Sequence, residues 1–125
     1  MKRELQKQLF DTYPALFKEK DLPPSRSNMC FGFECGDGWY TLLDNLCKII
    51  YDDRGDGHNI TVTQVKEKYG RLCFYYYGGD DVISGAVMLA EKMSENICEI
   101  CGNKGSIDYD AGWLSCRCED HKNDA

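Results

Sequence analysis

Four residues near the C-terminal end of the sequence have the types and the spacing of a metal site. Two residues separate Cys98 from Cys101, and after sixteen further residues Cys118 and His121 repeat the same spacing. Three thiols and one imidazole form a usual donor set of a closed tetrahedral zinc site. The sequence therefore predicts one structural zinc ion, because four protein ligands leave no open position for catalysis.

Cys116 is a competing ligand, because Cys116-Arg117-Cys118 places two thiols close together in the sequence. We favour Cys118, since its spacing to His121 matches that of the first pair, but the sequence leaves both cysteines open as the third ligand. Large apolar residues lie between the two ligand pairs, and we expect them to pack over the site as a small shell: Ile107, Tyr109, Trp113 and Leu114.

A second polar cluster lies in the segment 52–58, which contains Asp52, Asp56 and His58. A histidine near carboxylates can serve a hydrolase or nuclease as a general base. The aspartates and the glycine after Asp56 also resemble a calcium-binding loop, but Arg54 stands at its third position and Thr63 at its twelfth, where a bidentate glutamate is required. We favour a solvated loop.

A β-hairpin is the third candidate region. The sequence predicts a strand that begins near Ile60, a turn near Tyr69-Gly70 and a return strand from Leu72 to Tyr77. Residues of a strand alternate between its two faces, so one set of side chains is expected to face the core and the other to be exposed. The two sets are Leu72, Phe74 and Tyr76, and Cys73, Tyr75 and Tyr77.

The exposed set of this hairpin is the predicted partner-binding surface. Tyr75 and Tyr77, with Lys66 and Lys68 on the neighbouring strand, supply the aromatic anchors and rim charges that protein interfaces favour. Lysines interleaved with aromatic residues are also typical of surfaces that stack nucleic-acid bases. We favour a protein partner over nucleic acid.

The remaining elements place these candidates in an α+β fold. Apolar residues recur at helical spacing over residues 2–19, where Pro14 predicts a split into two short helices. A second helix is expected after Asp37, a predicted N-cap, and a third from Asp80 almost to Cys98. The predicted order is N-terminal helices, a β-hairpin, a following helix and a C-terminal zinc knuckle.

Length and composition indicate one domain. The 125 residues are expected to form a single unit, with an α/β core over residues 1–96 and a zinc-binding segment over residues 97–121. With 21 acidic and 15 basic residues the net charge is −6, which argues against a broad nucleic-acid-binding surface.

Location is inferred from the cysteines and from hydropathy. No apolar run has the length of a secretory signal or a membrane span, so we expect a soluble protein of the cytoplasm, with no membrane partner. In a reducing compartment, eight cysteines indicate metal ligation and buried thiols rather than disulfides.

Several motifs together resemble small uncharacterised proteins of bacteriophages and prophages that carry a C-terminal zinc-binding segment. The motifs span most of the chain and are Lys2-Arg3-Glu4-Leu5, Cys35-Gly36-Asp37-Gly38-Trp39, Gln64-Val65-Lys66-Glu67-Lys68-Tyr69-Gly70 and the closing Gly112-Trp113, Cys118 and His121. The resemblance implies a zinc-binding accessory protein made in the cytoplasm of a bacterial host during infection. It implies no activity for particular residues.

Three functional hypotheses follow. The favoured one is a non-catalytic, zinc-stabilised protein that binds and modulates a host protein, for example by inhibiting an anti-phage defence system. The second is a nucleic-acid-binding module that uses the Tyr/Lys-rich hairpin. The third is a small metal-dependent hydrolase or nuclease that uses the segment 52–58.

Overall fold

The computed structural model describes residues 1–54 and 59–124, except for the side chains of residues 53 and 54. Within these ranges three helices precede, connect or follow the strands of the fold: α1 (Arg3–Thr12), α2 (Tyr40–Arg54) and α3 (Asp81–Ser94). The strands are β1 (Phe33–Glu34), β2 (Ile60–Lys68), β3 (Arg71–Gly78), β4 (Ser106–Ile107) and β5 (Cys116–Arg117). The predicted α+β class is confirmed.

The main sheet is mixed and has the strand order β1-β2-β3. β1 runs parallel to β2, whereas β2 and β3 form the predicted antiparallel hairpin, with Lys68 opposite Arg71. The connecting turn has positive φ at both central residues, 54° at Tyr69 and 88° at Gly70. This backbone is the one that matches the twist of a two-residue hairpin.

Burial along the hairpin follows the predicted alternation. Leu72 and Phe74 on β3 are buried, whereas Tyr75 and Tyr77 are 43% and 56% exposed. Helices α2 and α3 pack against each other, and α3 packs on β3. The core draws on all three helices and the sheet, and its members include Leu9, Trp39, Leu43, Ile50, Val62, Val65, Leu72, Phe74, Ile83 and Val87.

Two local predictions at the N-terminal side are wrong. Residues 14–20 form turns rather than a second helix, although Leu16 and Phe17 are buried. Asp37 does not cap α2, because it lies in a 3₁₀ turn and its Oδ1 accepts the backbone N–H of Lys2 at 2.7 Å. A distant hydrogen bond takes the place of the local one that the sequence suggests.

Side chains cover backbone donors at both edges of the main sheet. At the β3 edge, the N–H groups of Leu72 and Phe74 donate to Ser94 Oγ and Glu91 Oε2 of α3, each at 2.9 Å. At the β1 edge, the N–H of Phe33 donates to Gln6 Oε1 at 3.0 Å. These bonds satisfy donors that an exposed edge would offer to another strand.

None of the helices in the described ranges combines the length and the hydropathy that a membrane span requires.

Candidate metal centre

The ligand atoms of Cys98, Cys101, Cys118 and His121 form one cluster, in which all lie within 4.8 Å of one another. Cys101 Sγ is 3.7 Å from Cys118 Sγ, and His121 Nδ1 is 3.2 Å from Cys118 Sγ and 3.8 Å from Cys98 Sγ. A tetrahedral ion with Zn–S and Zn–N distances of about 2.3 and 2.0 Å places its ligand atoms about 3.5–3.8 Å apart. The cluster therefore has the dimensions to hold a metal ion.

Tight turns and a short strand pair bring the two halves of the cluster together. The first half closes on itself, since the N–H of Cys98 donates to the Asn103 carbonyl at 2.7 Å and the N–H of Gly102 donates to the Cys98 carbonyl at 2.9 Å. Gly102 has a φ of 85°, a conformation that favours glycine. The antiparallel pair of β4 and β5 then returns the chain to Cys118.

The environment of Cys98 favours the thiolate that a metal ligand must be. Burial raises the pKa of this thiol, but backbone N–H groups, including those of Cys101, Cys118 and Ile100, stabilise the charged sulfur and lower its pKa from 9.0 to about 6. All eight cysteines are free of disulfides. The shift of the Cys98 pKa is opposite to that of the buried Cys116, where burial raises the thiol pKa to about 11.

Cys116 lies outside the cluster. Its side chain is fully buried, and its Sγ is 3.3 Å from the Glu95 carbonyl oxygen, to which it donates. Cys116 is the buried first residue of β5, and Cys118, two residues later, lies with the other three residues of the cluster. The geometry thus favours the spacing argument for Cys118; metal binding by the four residues stays a prediction.

The segment around Cys98 and Cys101 is held against the 3₁₀ turn that precedes α2 by hydrogen bonds that sequence reasoning missed. The N–H of Gly38 donates to the Glu99 carbonyl at 2.8 Å, the N–H of Gly36 donates to Glu99 Oε2 at 2.8 Å, and Trp39 Nε1 donates to the Ile97 carbonyl at 2.9 Å. The sequence showed only a glycine-rich helix start. The two glycines that flank Asp37 were the available signal, because glycine permits close backbone approach.

The contact at Gly38 leaves no space for a side chain. A Cβ at this position would lie 2.1 Å from the Cys98 carbonyl oxygen and 2.6 Å from Gly102 N. At Gly36 a Cβ would lie 2.2 Å from the Glu99 carbonyl oxygen. The backbone just before α2 is therefore in direct contact with the backbone of residues 98–102, which we call the cysteine turn.

Glu99, between the first two cysteines, also joins the two halves of the metal segment. Its Oε1 is 3.3 Å from the guanidinium of Arg117, and both side chains are largely buried. Since its other carboxylate oxygen accepts the Gly36 N–H, one side chain links the body, the first ligand pair and the strand that leads to the second pair. Charge-assisted bonds of this kind are stronger than neutral ones.

The predicted apolar shell over the site is wrong for its two aromatic members. Trp113 is 82% exposed and Tyr109 is 68% exposed. Ile107 is partly buried and packs on the core near Gly70, where a Cβ would lie 3.1 Å from its side chain. The segment between the ligand pairs therefore turns its aromatic residues outward.

Trp113 instead lines a cleft of about 510 Å³ between the metal segment and the hairpin turn. We call this the aromatic cleft; its lining residues are Glu67, Lys68, Tyr69, Gly112, Trp113 and Leu114. Tyr69 is 69% exposed, and Lys68 Nζ lies 5.7 Å from the centroid of its ring. The Gly70 N–H donates to Glu67 Oε2 at 2.7 Å and closes the turn that presents Tyr69.

The partner-binding role of Lys66, Lys68, Tyr75 and Tyr77 stays a prediction, and the four residues are spread along the hairpin. Lys66 lies opposite Cys73, and Tyr75 opposite Gln64, so Lys66 and Tyr75 share the outer face of the sheet. Tyr77 lies farther along the strand, where its hydroxyl donates to Glu19 Oε2 at 2.8 Å. Lys68 lies at the other end of the hairpin, in the aromatic cleft.

The general-base hypothesis falls mostly outside the described residues. Asp52 lies in the last turn of α2 and is exposed, whereas Asp56 and His58 belong to the segment that the structure leaves undescribed. The hydrolase hypothesis therefore stays a prediction.

No protein-family model matches the chain, and comparisons with curated proteins and with solved structures give no match. Functional interpretation accordingly depends on the metal centre and on the surfaces of this chain.

Proposed function

We propose that this chain is a non-catalytic binding protein, stabilised by one structural zinc ion, that presents the aromatic cleft to a partner protein. The observation that carries the proposal is the position of Tyr69 and Trp113, which are 69% and 82% exposed and line the same cleft. Large aromatic residues are enriched among the anchors of protein interfaces and are costly to leave in water.

The metal assignment follows from the donor set. Three sulfurs and one imidazole nitrogen suit zinc, and four protein ligands complete its tetrahedron without a water that might be activated. Zinc bound there would stabilise the turns at Cys98-Cys101 and Cys118-His121. Through the Glu99 carboxylate it would also stabilise the contact with the backbone at Gly36. Its role would be structural.

The conformation of Tyr69 supports a binding role for the cleft. Among the described residues, Tyr69 is the only one other than glycine that has a positive φ. Asparagine or glycine fits such a turn position with less strain than a bulky side chain does. An aromatic residue held there at a cost in backbone energy indicates that its ring serves a purpose that the turn itself does not need.

The partner we propose is a host protein of the kind that the phage resemblance implies, such as a component of an anti-phage defence system. The net charge of −6 suits a target whose surface is basic, including one that ordinarily holds nucleic acid. The outer sheet face with Lys66 and Tyr75 would extend the contact or form a second one. Nucleic acid is the alternative ligand of the same cleft, because bases stack on exposed aromatic rings.

Metal content tests the structural half of the proposal. We expect about one zinc per chain by elemental analysis, because structural zinc couples to folding with about 10–16 kcal/mol. Cys118→Ser should lose the metal, whereas Cys116→Ser, the matched control, should keep it. Metal-free protein with a native fold, or equal loss in both variants, would contradict the assignment.

Affinity capture from a bacterial host lysate tests the binding half. We expect capture of one specific partner. Trp113→Ala should abolish its binding and the double variant Tyr75→Ala/Tyr77→Ala should weaken it less, with zinc content unchanged in both. If the double variant alone abolishes capture, the sheet face is the interface instead. If labelled single-stranded DNA or RNA binds, with an affinity that falls steeply with salt and requires Trp113, the ligand of the cleft is nucleic acid and not a protein.

A further inference from the structure

Helix α3 has two faces with apolar residues, and within the described residues one of them packs on the rest of the fold while the other does not. The inner face is buried on the sheet and α2 and consists of Ile83, Val87, Ala90 and Ser94. The outer face is open, and three of its apolar side chains are 55–67% exposed: Val82, Met88 and Leu89. Ile49 on the neighbouring α2 is 48% exposed as well. Contiguous exposed apolar residues of this kind mark interaction surfaces.

Gly85 lies at the centre of this outer face. With about 3.6 residues per turn, it points opposite to the buried direction set by Ile83, Val87 and Ala90. Nothing lies within 4 Å of the Cβ that another residue would place there, and its φ is not positive. Glycine destabilises a helix interior more than any residue except proline, and nothing in the described chain requires it here. A close approach of another helix does require a small residue.

The charges on the outer face are complementary to the same face of a second copy. Asp81 lies at the N-terminal end of α3 and Lys92 near its C-terminal end; both are exposed, and Lys92 Nζ also lies 3.5 Å from Glu95 Oε2 of the same chain. Glu91 is turned toward the sheet, where its carboxylate accepts the Phe74 N–H, so it does not enter this face. In an antiparallel pair of these helices, Asp81 of each copy meets Lys92 of the other.

One placement of a two-fold axis satisfies both the shape and the charge. An axis beside Ala86 and Val87 places Asp81 opposite Lys92 of the second copy and, at the same time, Gly85 opposite Leu89 and Met88. The space at glycine then receives the large side chain that faces it. Antiparallel packing also sets the positive end of each helix dipole beside the negative end of the other.

We propose that the outer face of α3 is the interface of a homodimer in which two copies pack antiparallel across Gly85. The contact is isologous, as two-fold symmetry demands. A helix of 14 residues is about 21 Å long, so the contact is small, at or below the lower limit of stable interfaces, about 1,200 Å². The dimer is therefore reversible, with a dissociation constant in the micromolar range. It uses a surface different from the aromatic cleft.

Sedimentation equilibrium of the zinc-loaded full chain tests the dimer. The weight-average mass should rise from 14.3 kDa toward twice that value between about 1 and 300 µM protein. Leu89→Glu should weaken association at least about tenfold, since it places a charge in the apolar centre of the contact. Phe31→Glu, at an exposed apolar residue outside α3, is the matched control and should dimerise like the natural chain. A single species of 14.3 kDa at every concentration, or dimerisation unaffected by Leu89→Glu, would overturn the proposal.

Charge reversal tests the antiparallel register without touching the apolar contact. Asp81→Lys and Lys92→Glu should each weaken the dimer about tenfold, because two-fold symmetry repeats every like-charge contact. The double variant, which exchanges the two charges, should dimerise within about twofold of the natural chain. A double variant as weak as the single ones would refute this register. Gly85→Gln gives a further signature: the isolated helix becomes more stable while the dimer becomes weaker.

Discussion

Gly38 lies where the start of α2 meets the cysteine turn, and replacing it by alanine tests whether this contact holds the metal segment in place. The substitution adds one methyl group. Because φ at Gly38 is not positive, alanine can adopt the same backbone conformation, and the effect is steric alone. The added Cβ would lie 2.1 Å from the Cys98 carbonyl oxygen and 2.6 Å from Gly102 N.

The magnitude follows from what must move. Both atoms belong to the backbone of the turn that carries the first two ligands, so the turn has to separate from α2. Overpacking of this kind costs about 1–3 kcal/mol. Loss of the hydrogen bond from Gly38 N–H to the Glu99 carbonyl adds about 1 kcal/mol, and the stiffer unfolded chain returns about 0.4–1 kcal/mol. The net loss in the free energy of unfolding is about 1–3.5 kcal/mol.

Urea unfolding of the zinc-loaded protein, followed by circular dichroism, measures this loss. With a slope of about 1.5 kcal/mol per M, the midpoint should fall by about 0.7–2.3 M. Gly112→Ala is the matched control, because nothing lies within 4 Å of its Cβ, and its midpoint should stay the same or rise slightly. Equal midpoints for Gly38→Ala and Gly112→Ala would show that the contact at Gly38 does not hold the segment.

Three further substitutions test single contacts by the same unfolding measurement. Ser94→Ala leaves the buried Leu72 N–H without its acceptor and should cost about 1–3 kcal/mol; an unchanged midpoint would mean that water replaces the hydroxyl. Trp39→Phe removes the indole donor from the Ile97 carbonyl and should cost a similar amount, with zinc affinity reduced if the docking matters to the site. Asp80→Ala removes the cap of α3 and should cost about 1 kcal/mol, whereas Asp80→Asn should retain most of the stability.

Local pattern was sufficient for most elements and for the ligand cluster. The hairpin was predictable because Tyr69-Gly70 stands between two runs with a period of two, and burial at Leu72 and Phe74 follows that period. The cluster was predictable because a two-residue spacing is what a single turn needs to bring two donors together. Each signal depends on residues that are only a few positions apart in the chain.

The errors concern contacts between distant segments. Asp37 has the residue type of an N-cap, yet its carboxylate accepts a hydrogen bond from the backbone N–H of Lys2, 35 residues earlier in the sequence. Gly38 contacts a turn some 60 residues away in the sequence, and a periodic pattern of nearby residues cannot predict such a contact. Trp113, between two ligand pairs, has the same sequence context whether it covers a metal or lines a cleft. Only the packing of the whole chain separates these alternatives.

The covered edges of the main sheet bear on the kind of partner contact that the proposed function allows. A sheet with an open edge accepts almost any extended peptide, because main-chain bonds are the same for every sequence. Here Ser94, Glu91 and Gln6 occupy donors at the two edges, so strand addition at those positions would require a partner to displace bonds within the chain. Under the proposed function, recognition then has to come from side chains and the shape of a surface, which differ from one protein to the next. A change in the surface of the proposed partner would be enough to weaken binding.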